Sequence, residues 1–322
     1  MSILVLSEHD VRALLDMESC VEAMEEVLSA LARGELFQPL RSVARPPGAN
    51  GFIGLMPAHR SGERAAWSLK EIVVIPSNPT RGLDAHQGAV LLHDGETGQL
   101  VALLNASPVT EIRTAAVSGV ATRALARRDA SRVAILGAGV QGRSHVQAMR
   151  AVLEDPEIRI WARNPDASAA LAAEVGAVAA PSPDAALLGA EVVCTTTSAL
   201  EPIVELRWLA EGAHVNAVGS SIPTTRELDT ATVAAASFFV DRRESTLNEA
   251  GDYLLPAAEG AIGPEHIKAE LGEVLIGAHP GRQDESELTV FKSLGIAVED
   301  LAAAELVVGR ARERGVGAEV DF

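Results

Sequence analysis

A chain of 322 residues that is 48% apolar and carries a formal net charge of −17 has the length for about two domains and a sizeable core. The acidic excess repels phosphate backbones, so nucleic acid is not an expected partner, and no apolar run approaches the roughly 20 residues of a membrane span. Cys20 and Cys194 are the only cysteines; two isolated thiols give neither a disulfide framework nor zinc spacing, and no metal is expected. Residues 1–10 lack a basic n-region followed by an apolar h-region, so the expected location is the cytoplasm.

In chain order, Ser7 and Asp16 read as helix N-caps followed by apolar residues at helical spacing. The first helix buries Val11, Leu14 and Leu15. The second buries Val21, Met24, Val27, Leu28 and Leu31 and stops at Gly34. Short extended segments follow at 41–45, 51–57, 66–75, 88–93 and 100–104. Asp94 through Gly98 lies between two of them as a hairpin loop. This first part predicts an α+β domain with a mainly antiparallel or mixed sheet, and a helix over 109–127 leads out of it.

The pattern then changes. Apolar strand candidates at 133–136, 158–161, 192–195, 214–218 and 238–240 are separated by Ala-rich helical stretches, a sequence of strands and helices that implies parallel βαβ packing. A last helix is predicted over 300–314. The fold class is therefore α/β: a Rossmann dinucleotide-binding domain plus an α+β domain.

The motif that specifies the chemistry is Val133-Ala134-Ile135-Leu136-Gly137-Ala138-Gly139-Val140-Gln141-Gly142. It is G-x-G-x-x-G directly after a strand and opening a helix, with the next strand at Ile158. Gly137 permits the tight turn, Gly139 lets the backbone approach a pyrophosphate, and Gly142 allows close helix–strand packing. The helix N-terminus supplies N–H donors to phosphate. A glycine turn in another α/β protein is the alternative.

At the end of the second strand, NAD-binding chains place an Asp or Glu on the ribose 2′-OH. Here Trp161-Ala162-Arg163-Asn164 has no acid. Arg163 can pair with a 2′-phosphate and Asn164 can donate to it, so NADPH is expected, with NADH possible; Arg163 could also be a solvated surface residue. In the first domain Arg41, Lys70 and Arg113 lie in or beside apolar segments, where a lone charge is costly unless paired. Each is an ordinary ion-paired residue on its own and, if the three converge, part of a carboxylate site. His86 and Gln87 are ambiguous in the same way.

The chain resembles the ornithine cyclodeaminase/mu-crystallin family. The resemblance rests on Gln38-Pro39-Leu40-Arg41, Gly54 to Ala58, Asp94 to Gly98, Arg113 to Ala116, Gly137 to Gln141 and Phe291 to Asp300. Asn216 to Ser221, Arg226-Glu227-Leu228 and Trp161-x-Arg163 are similar to the mu-crystallin branch of ketimine reductases. The resemblance implies a substrate-binding and dimerisation domain over 1–112, rejoined by 306–322, and a Rossmann domain over 113–305. It implies that Arg41, Lys70 and Arg113 bind a substrate carboxylate. It implies a cofactor set of Gly137, Gly139, Val140, Gln141, Arg163, Asn164, Thr114, His86, Thr195, Val218 and Lys292. A homodimer and a small imino- or amino-acid substrate follow from the same source.

One departure from the family bears on the reaction. Where the cyclodeaminase branch carries an Asp after its glycine pair, this chain has Ser221. A cyclodeaminase oxidises an α-amine and expels ammonia, which requires a group titrating at moderate pH. A serine hydroxyl needs an activating base to serve. Reduction of a preformed cyclic ketimine asks less, because the cofactor supplies the reductant. NADPH-dependent ketimine reduction is thus expected, on a substrate of the Δ1-pyrroline-2-carboxylate or Δ1-piperideine-2-carboxylate type. Lys70 would be the proton donor and Ser221 would line the site. An NAD-dependent ornithine cyclodeaminase and a non-catalytic NADPH- or ligand-binding protein are the alternatives.

Overall fold

The computed structural model describes residues 2–322, the side chain of Pro79 excepted; the expectation for residues 1–10 therefore falls in part on Met1, which lies outside the described residues. The chain forms two compact units, Met1–Arg113 with Ile296–Phe322, and Thr114–Gly295.

In chain order the first unit contains β1 (Ser2–Leu6), α1 (Glu8–Leu14), α2 (Met17–Ala32), β2 (Leu36–Phe37), β3 (Ser42–Ala44), β4 (Phe52–Arg60), β5 (Ala66–Val74), β6 (His86–Asp94) and β7 (Leu100–Asn105). Helix α3 (Ala106–Leu125) begins in it and ends in the second unit. The second unit continues with β8 (Arg132–Leu136), α4 (Val140–Val152), β9 (Glu157–Trp161), α5 (Pro165–Val175), β10 (Val178–Ala179), α6 (Pro183–Leu187), β11 (Val192–Thr195) and β12 (His214–Ala217). It closes with α7 (Thr230–Ala235), β13 (Ser237–Val240), α8 (Arg243–Glu249), α9 (Gly251–Ala258), β14 (Ile267–Glu270), α10 (Leu271–Leu275) and β15 (Thr289–Lys292). Helix α11 (Ala297–Arg314) and β16 (Ala318–Asp321) belong to the first unit.

The first unit's sheet is mixed. Its order is β16-β1-β7-β6-β5-β4-β2, with β3 also on β4. β1 and β7 run parallel, and the other pairs are antiparallel. Strand alternation divides β5 into two faces: Ala66, Ser68, Lys70 and Val74 are buried, while Trp67 and Val73 are exposed. Helix α11 packs on α2 and on β4, β5 and β6. The predicted apolar stripe of α2 is buried in full. Ser7 caps α1 through a capping box with Asp10, and the Asp16 side chain accepts the Ser19 N–H at 2.9 Å to cap α2. The hairpin loop closes on Asp94, whose Oδ1 accepts the N–H groups of Glu96 and Thr97 at 3.1 and 2.7 Å.

The second unit's sheet is parallel throughout, in the order β10-β9-β8-β11-β12-β15-β13-β14. Its central strands β11, β12 and β15 are buried along their whole length, as a sheet covered on both faces requires. The order reverses next to β8: β9 and β10 lie to one side, β11 and β12 to the other. Such a switch point, at the carboxyl ends of the strands, is where open α/β sheets bind ligands.

Some boundaries differ from the expectation. Helix α3 starts at Ala106 rather than 109, with Asn105 Oδ1 accepting the Ser107 N–H at 3.0 Å. Helix α11 starts at Ala297 rather than 300, and the return to the first unit starts at Ile296 rather than 306. The reason is that α11 is one uninterrupted helix, buried from Ala297 through Ala304, so no break exists near 306.

The α2 cap yields a stability test. Burial pushes the Asp16 carboxyl up, but the Ser19 N–H and the Arg310 guanidinium outweigh burial and hold it at about 2. Its folded pKa is thus below the unfolded one, so the stabilisation is present above the ordinary carboxylate range and is lost as pH falls toward about 2. Asp16→Ala is expected to cost about 1–2 kcal/mol at neutral pH, as N-cap removal does, and to cost less in acid. Urea denaturation at both pH values checks this.

Candidate active site

The inward face of β5 brings Lys70 beneath the first turn of α11. Its Nζ lies 2.8 Å from Asp300 Oδ2, with both side chains 1% exposed. Arg113 Nε is 2.9 Å from Asp300 Oδ1, and Arg113 Nη1 is 2.7 Å from Glu299 Oε2. Two cations from β5 and α3 thus face two carboxylates from α11 in a buried, charge-balanced cluster. Burial pushes the Lys70 ammonium down to about 8, against the opposing pull of Asp300. The start of α11 is fixed from another side, where Gln38 Oε1 accepts the Val298 N–H at 3.0 Å.

Arg41 is half-buried immediately before β3. Ser42 pairs with Leu55, and the next residue of β4, Met56, pairs with Lys70, so register brings Arg41 to the strands that carry the cluster. His86 begins β6. Its pKa is lowered, first by the bulk of protein around it and next by the positive charge of Lys70, although its own side chain keeps solvent contact.

In the second unit, the glycine loop has the local geometry of a phosphate cradle. Gly137 sits at φ +131°, and a Cβ there would meet Thr196 Oγ1 at 2.4 Å. A Cβ on Gly142 would lie 2.1 Å from Gly137 O. Those two glycines are dictated by the chain itself. Gly139 is not: a Cβ there meets nothing within 4 Å. Its glycine keeps open the space in front of the α4 N-terminus, where no side chain caps the helix. Gln141 Oε1 is buried and has no hydrogen-bond partner among the described residues. An open glycine and free helix N–H groups fit a dinucleotide pyrophosphate, and the orphaned Gln141 oxygen, an acceptor, fits a ligand donor such as a hydroxyl.

Arg163, past the end of β9, is exposed and makes no hydrogen bond or ion pair among the described residues. Asn164 caps α5, its Oδ1 accepting the Asp166 N–H at 3.0 Å, which leaves the amide N–H groups for a phosphate. Val140 is exposed and Val218 half-buried. Thr114 follows Arg113 in α3 and is buried.

Two expected cofactor contacts are corrected. Lys292 is fully enclosed, with its Nζ 2.9 Å from Asp252 Oδ2. Thr195 is also fully buried, and its hydroxyl donates to Glu227 Oε2 at 2.7 Å. Neither side chain is open to a ligand, because each satisfies a buried carboxylate. Ser221 is exposed in the loop after β12, and no base is hydrogen-bonded to its hydroxyl among the described residues. The neighbouring Ser220 is the buried one, bonded to Thr225 Oγ1 at 2.8 Å.

A model of the ornithine cyclodeaminase/mu-crystallin family matches residues 1–315. The chain belongs to the ornithine cyclodeaminase/mu-crystallin family. Ketimine reductase mu-crystallin of Mus musculus is 39% identical over 292 residues, 89% of this chain and 90% of that protein. The Δ1-pyrroline-2-carboxylate reductase of Thermococcus litoralis, solved with NADH and L-proline, superposes with a TM-score of 0.94 at 36% identity, covering 99% of this chain and 100% of that one. An archaeal alanine dehydrogenase dimer with bound NAD gives a TM-score of 0.94 at 30% identity, covering both chains completely.

Sequence reasoning gave no role to four buried acids that the structure places in these ion-pair and hydrogen-bond clusters: Glu299, Asp300, Glu227 and Asp252. The signal for the first two was present. They are adjacent acids inside an otherwise apolar stretch from Gly295 to Ala304, and buried acids demand cations.

Breaking the cluster should be costly. Asp300→Leu leaves Lys70 buried without its partner and is expected to destabilise the fold by about 3–5 kcal/mol. The double variant Lys70→Met with Asp300→Leu should recover part of that loss, because no ammonium remains to be desolvated. Urea denaturation of both variants checks the pair.

Proposed function

We propose that this protein reduces a cyclic ketimine carboxylate, of the Δ1-pyrroline-2-carboxylate or Δ1-piperideine-2-carboxylate type, to the cyclic amino acid, with NADPH as the preferred reductant. The observation that carries this reading is Lys70: a buried ammonium held at about 8, close enough to neutrality to give up a proton, beside Arg113. The names of the relatives, a ketimine reductase and a pyrroline-carboxylate reductase, point to the same chemistry.

A dinucleotide held at the glycine loop of Gly137, Gly139 and Gly142 would supply the hydride needed at the C=N carbon. Lys70 delivers the proton to the ring nitrogen, so the C=N bond becomes CH–NH. Arg113 and Arg41 hold the carboxylate. Because Lys70 and Arg113 are already balanced by Asp300 and Glu299, the substrate carboxylate is accommodated by redistributing those pairs or through Arg41. Pairing with the substrate fixes the imine carbon for transfer. Cyclodeamination needs a base where Ser221 stands, and Ser221 has none to activate it. Arg163, exposed past the end of β9 and unpaired among the described residues, supports a 2′-phosphate and hence NADPH.

The assembly proposed is a homodimer through the first unit's sheet. On the face opposite Lys70, Trp67 and Val73 are exposed and Leu55, Leu69 and Leu91 only half-buried. An apolar sheet face of this kind invites a second copy. The archaeal alanine dehydrogenase relative is a dimer. Light scattering at micromolar concentration is expected to give twice the chain mass; a monomer removes this part. Cys20 and Cys194 are both buried free thiols, which supports a reducing compartment such as the cytoplasm.

The test is a comparison of two assays on one preparation. NADPH oxidation is expected with a cyclic ketimine carboxylate, and no ammonia release from ornithine with NAD. Ammonia release in place of ketimine reduction overturns the proposal. Arg163→Ala should weaken NADPH binding by roughly tenfold to a hundredfold, the worth of a charged hydrogen bond, and leave NADH unchanged. The Lys70 ammonium predominates below its pKa, so the ketimine reduction rate should fall as pH rises through about 8. Lys70→Arg, which cannot release a proton in this range, should remove that limb and lower kcat.

A further inference from the structure

Beneath the carboxyl ends of β11 and β12 lies a second buried carboxylate system, distinct from the Lys70 cluster. Glu227 is fully buried, and both of its oxygens are saturated. Oε1 accepts the Thr197 N–H and the Thr197 hydroxyl, each at 2.7 Å. Oε2 accepts the Thr195 hydroxyl and the Gly219 N–H, each at 2.7 Å. The loop after β11 and the loop after β12 are therefore tied to one carboxylate. Gly219 is forced by the same contact, since a Cβ there would lie 2.5 Å from Glu227 Oε1 and 2.1 Å from Thr197 O.

Glu227 is itself anchored. Asp252, at the start of α9, accepts the backbone N–H groups of Glu227 and Leu228 on Oδ1 at 2.7 and 3.1 Å. Its Oδ2 takes the Lys292 ammonium at 2.9 Å. A continuous buried chain thus runs from the end of β15 through α9 to the ends of β11 and β12. Burial and Asp252 push the Glu227 carboxyl up, while Lys292 and the Thr197 and Thr195 hydroxyls oppose them.

In a sheet of this order the two nucleotides of a dinucleotide lie on opposite sides of the switch point. The ribose-reading strand β9 marks the adenosine side. The loops after β11 and β12 fall on the nicotinamide side. We propose that Glu227 is a positioning residue for the nicotinamide half of the cofactor, setting the loops after β11 and β12 without touching the ligand itself. This rests on the dinucleotide reading above.

The geometry makes an isosteric test sharp. Each oxygen of Glu227 faces one backbone N–H, which cannot turn away as a hydroxyl can. In Glu227→Gln one of them must meet the amide NH2, whichever way the amide is flipped. The probes are NADPH and adenosine 2′,5′-bisphosphate, which carries only the adenosine side. Glu227→Gln is expected to weaken NADPH at least about tenfold, as losing a charged acceptor does, and to leave the bisphosphate within about twofold. A uniform loss of both ligands, or unchanged NADPH binding, overturns the inference.

Should Glu227→Gln fail to give wild-type circular dichroism, Thr197→Val carries the test. It removes one hydroxyl donor and should weaken NADPH about two- to fivefold, again without affecting the bisphosphate; equal binding of NADPH by the variant and the wild type overturns the inference. If the unsubstituted protein binds neither probe, the dinucleotide reading fails and the inference with it. If it binds both and only the variants disagree, the inference alone fails.

Discussion

Glu299 and Asp300 are enclosed at the N-terminus of α11, and an ionised carboxylate in that position is intolerable without cations. Lys70 from β5 and Arg113 from α3 provide them, and the helix dipole adds a smaller favourable contribution at the same end. Three elements far apart in sequence are fixed against one another by this requirement. The middle of the sheet, the helix leading out of the unit and the helix returning to it cannot slide independently without stranding a charge. The same contact that fixes them also sets the acidity of Lys70, which burial lowers and Asp300 holds up. A buried ion pair is a poor choice if stability alone is at stake, since well-packed apolar side chains do as well or better.

The second unit uses buried polarity in two different ways. In the interior of its sheet, His214 is bonded to Thr289 at 2.9 Å and to Asn216 at 3.2 Å, and Asn216 donates to Thr122 at 2.9 Å. Burial pushes His214 down to about 3, so it is a neutral structural group. Every partner there is internal. At the strand ends the account does not close in the same way: Gln141 Oε1 lacks a partner and Gly139 guards empty space.

What could be read in the sequence was local. The glycine loop, its flanking strand and helix, the caps at Ser7 and Asp16, and the Asp94 hairpin depend on neighbouring residues and stood where expected. The two-unit division was also visible, because extended segments joined by turns give way to strands that alternate with helices, the pattern of a parallel sheet. The missing parts were set by distant partners. Strand β15 is four residues long and ends in Lys292; nothing in its own pattern reveals that Asp252 neutralises that lysine. Likewise Thr195 reads as a strand-end hydroxyl open to a ligand until Glu227, 32 residues on, takes it. Helix α11 begins at Ala297, before the expected start at Asp300, and its first turn carries the two buried acids, whose cation partners lie far away in sequence.

The choice of cation at each place in the Lys70 cluster follows from what that place must do. Arg113 spans two carboxylates, one through Nε and one through Nη1, a task for a planar fork that never loses its charge. Position 70 meets a single carboxylate oxygen through one atom, which a point charge serves as well. A lysine there brings what an arginine cannot: a pKa that burial can move into the working range of a proton donor. Glu299 then has a separate function from Asp300. By occupying Arg113 Nη1 it offsets part of the positive charge that would otherwise drive the Lys70 pKa lower, since Arg113 itself acts in that direction. Removing either acid would make the remaining cations more available to a substrate carboxylate but leave Lys70 a weaker reservoir of protons. On the proposed function, the cluster is a compromise between binding an anion and retaining an acid, with two cations balanced by two carboxylates.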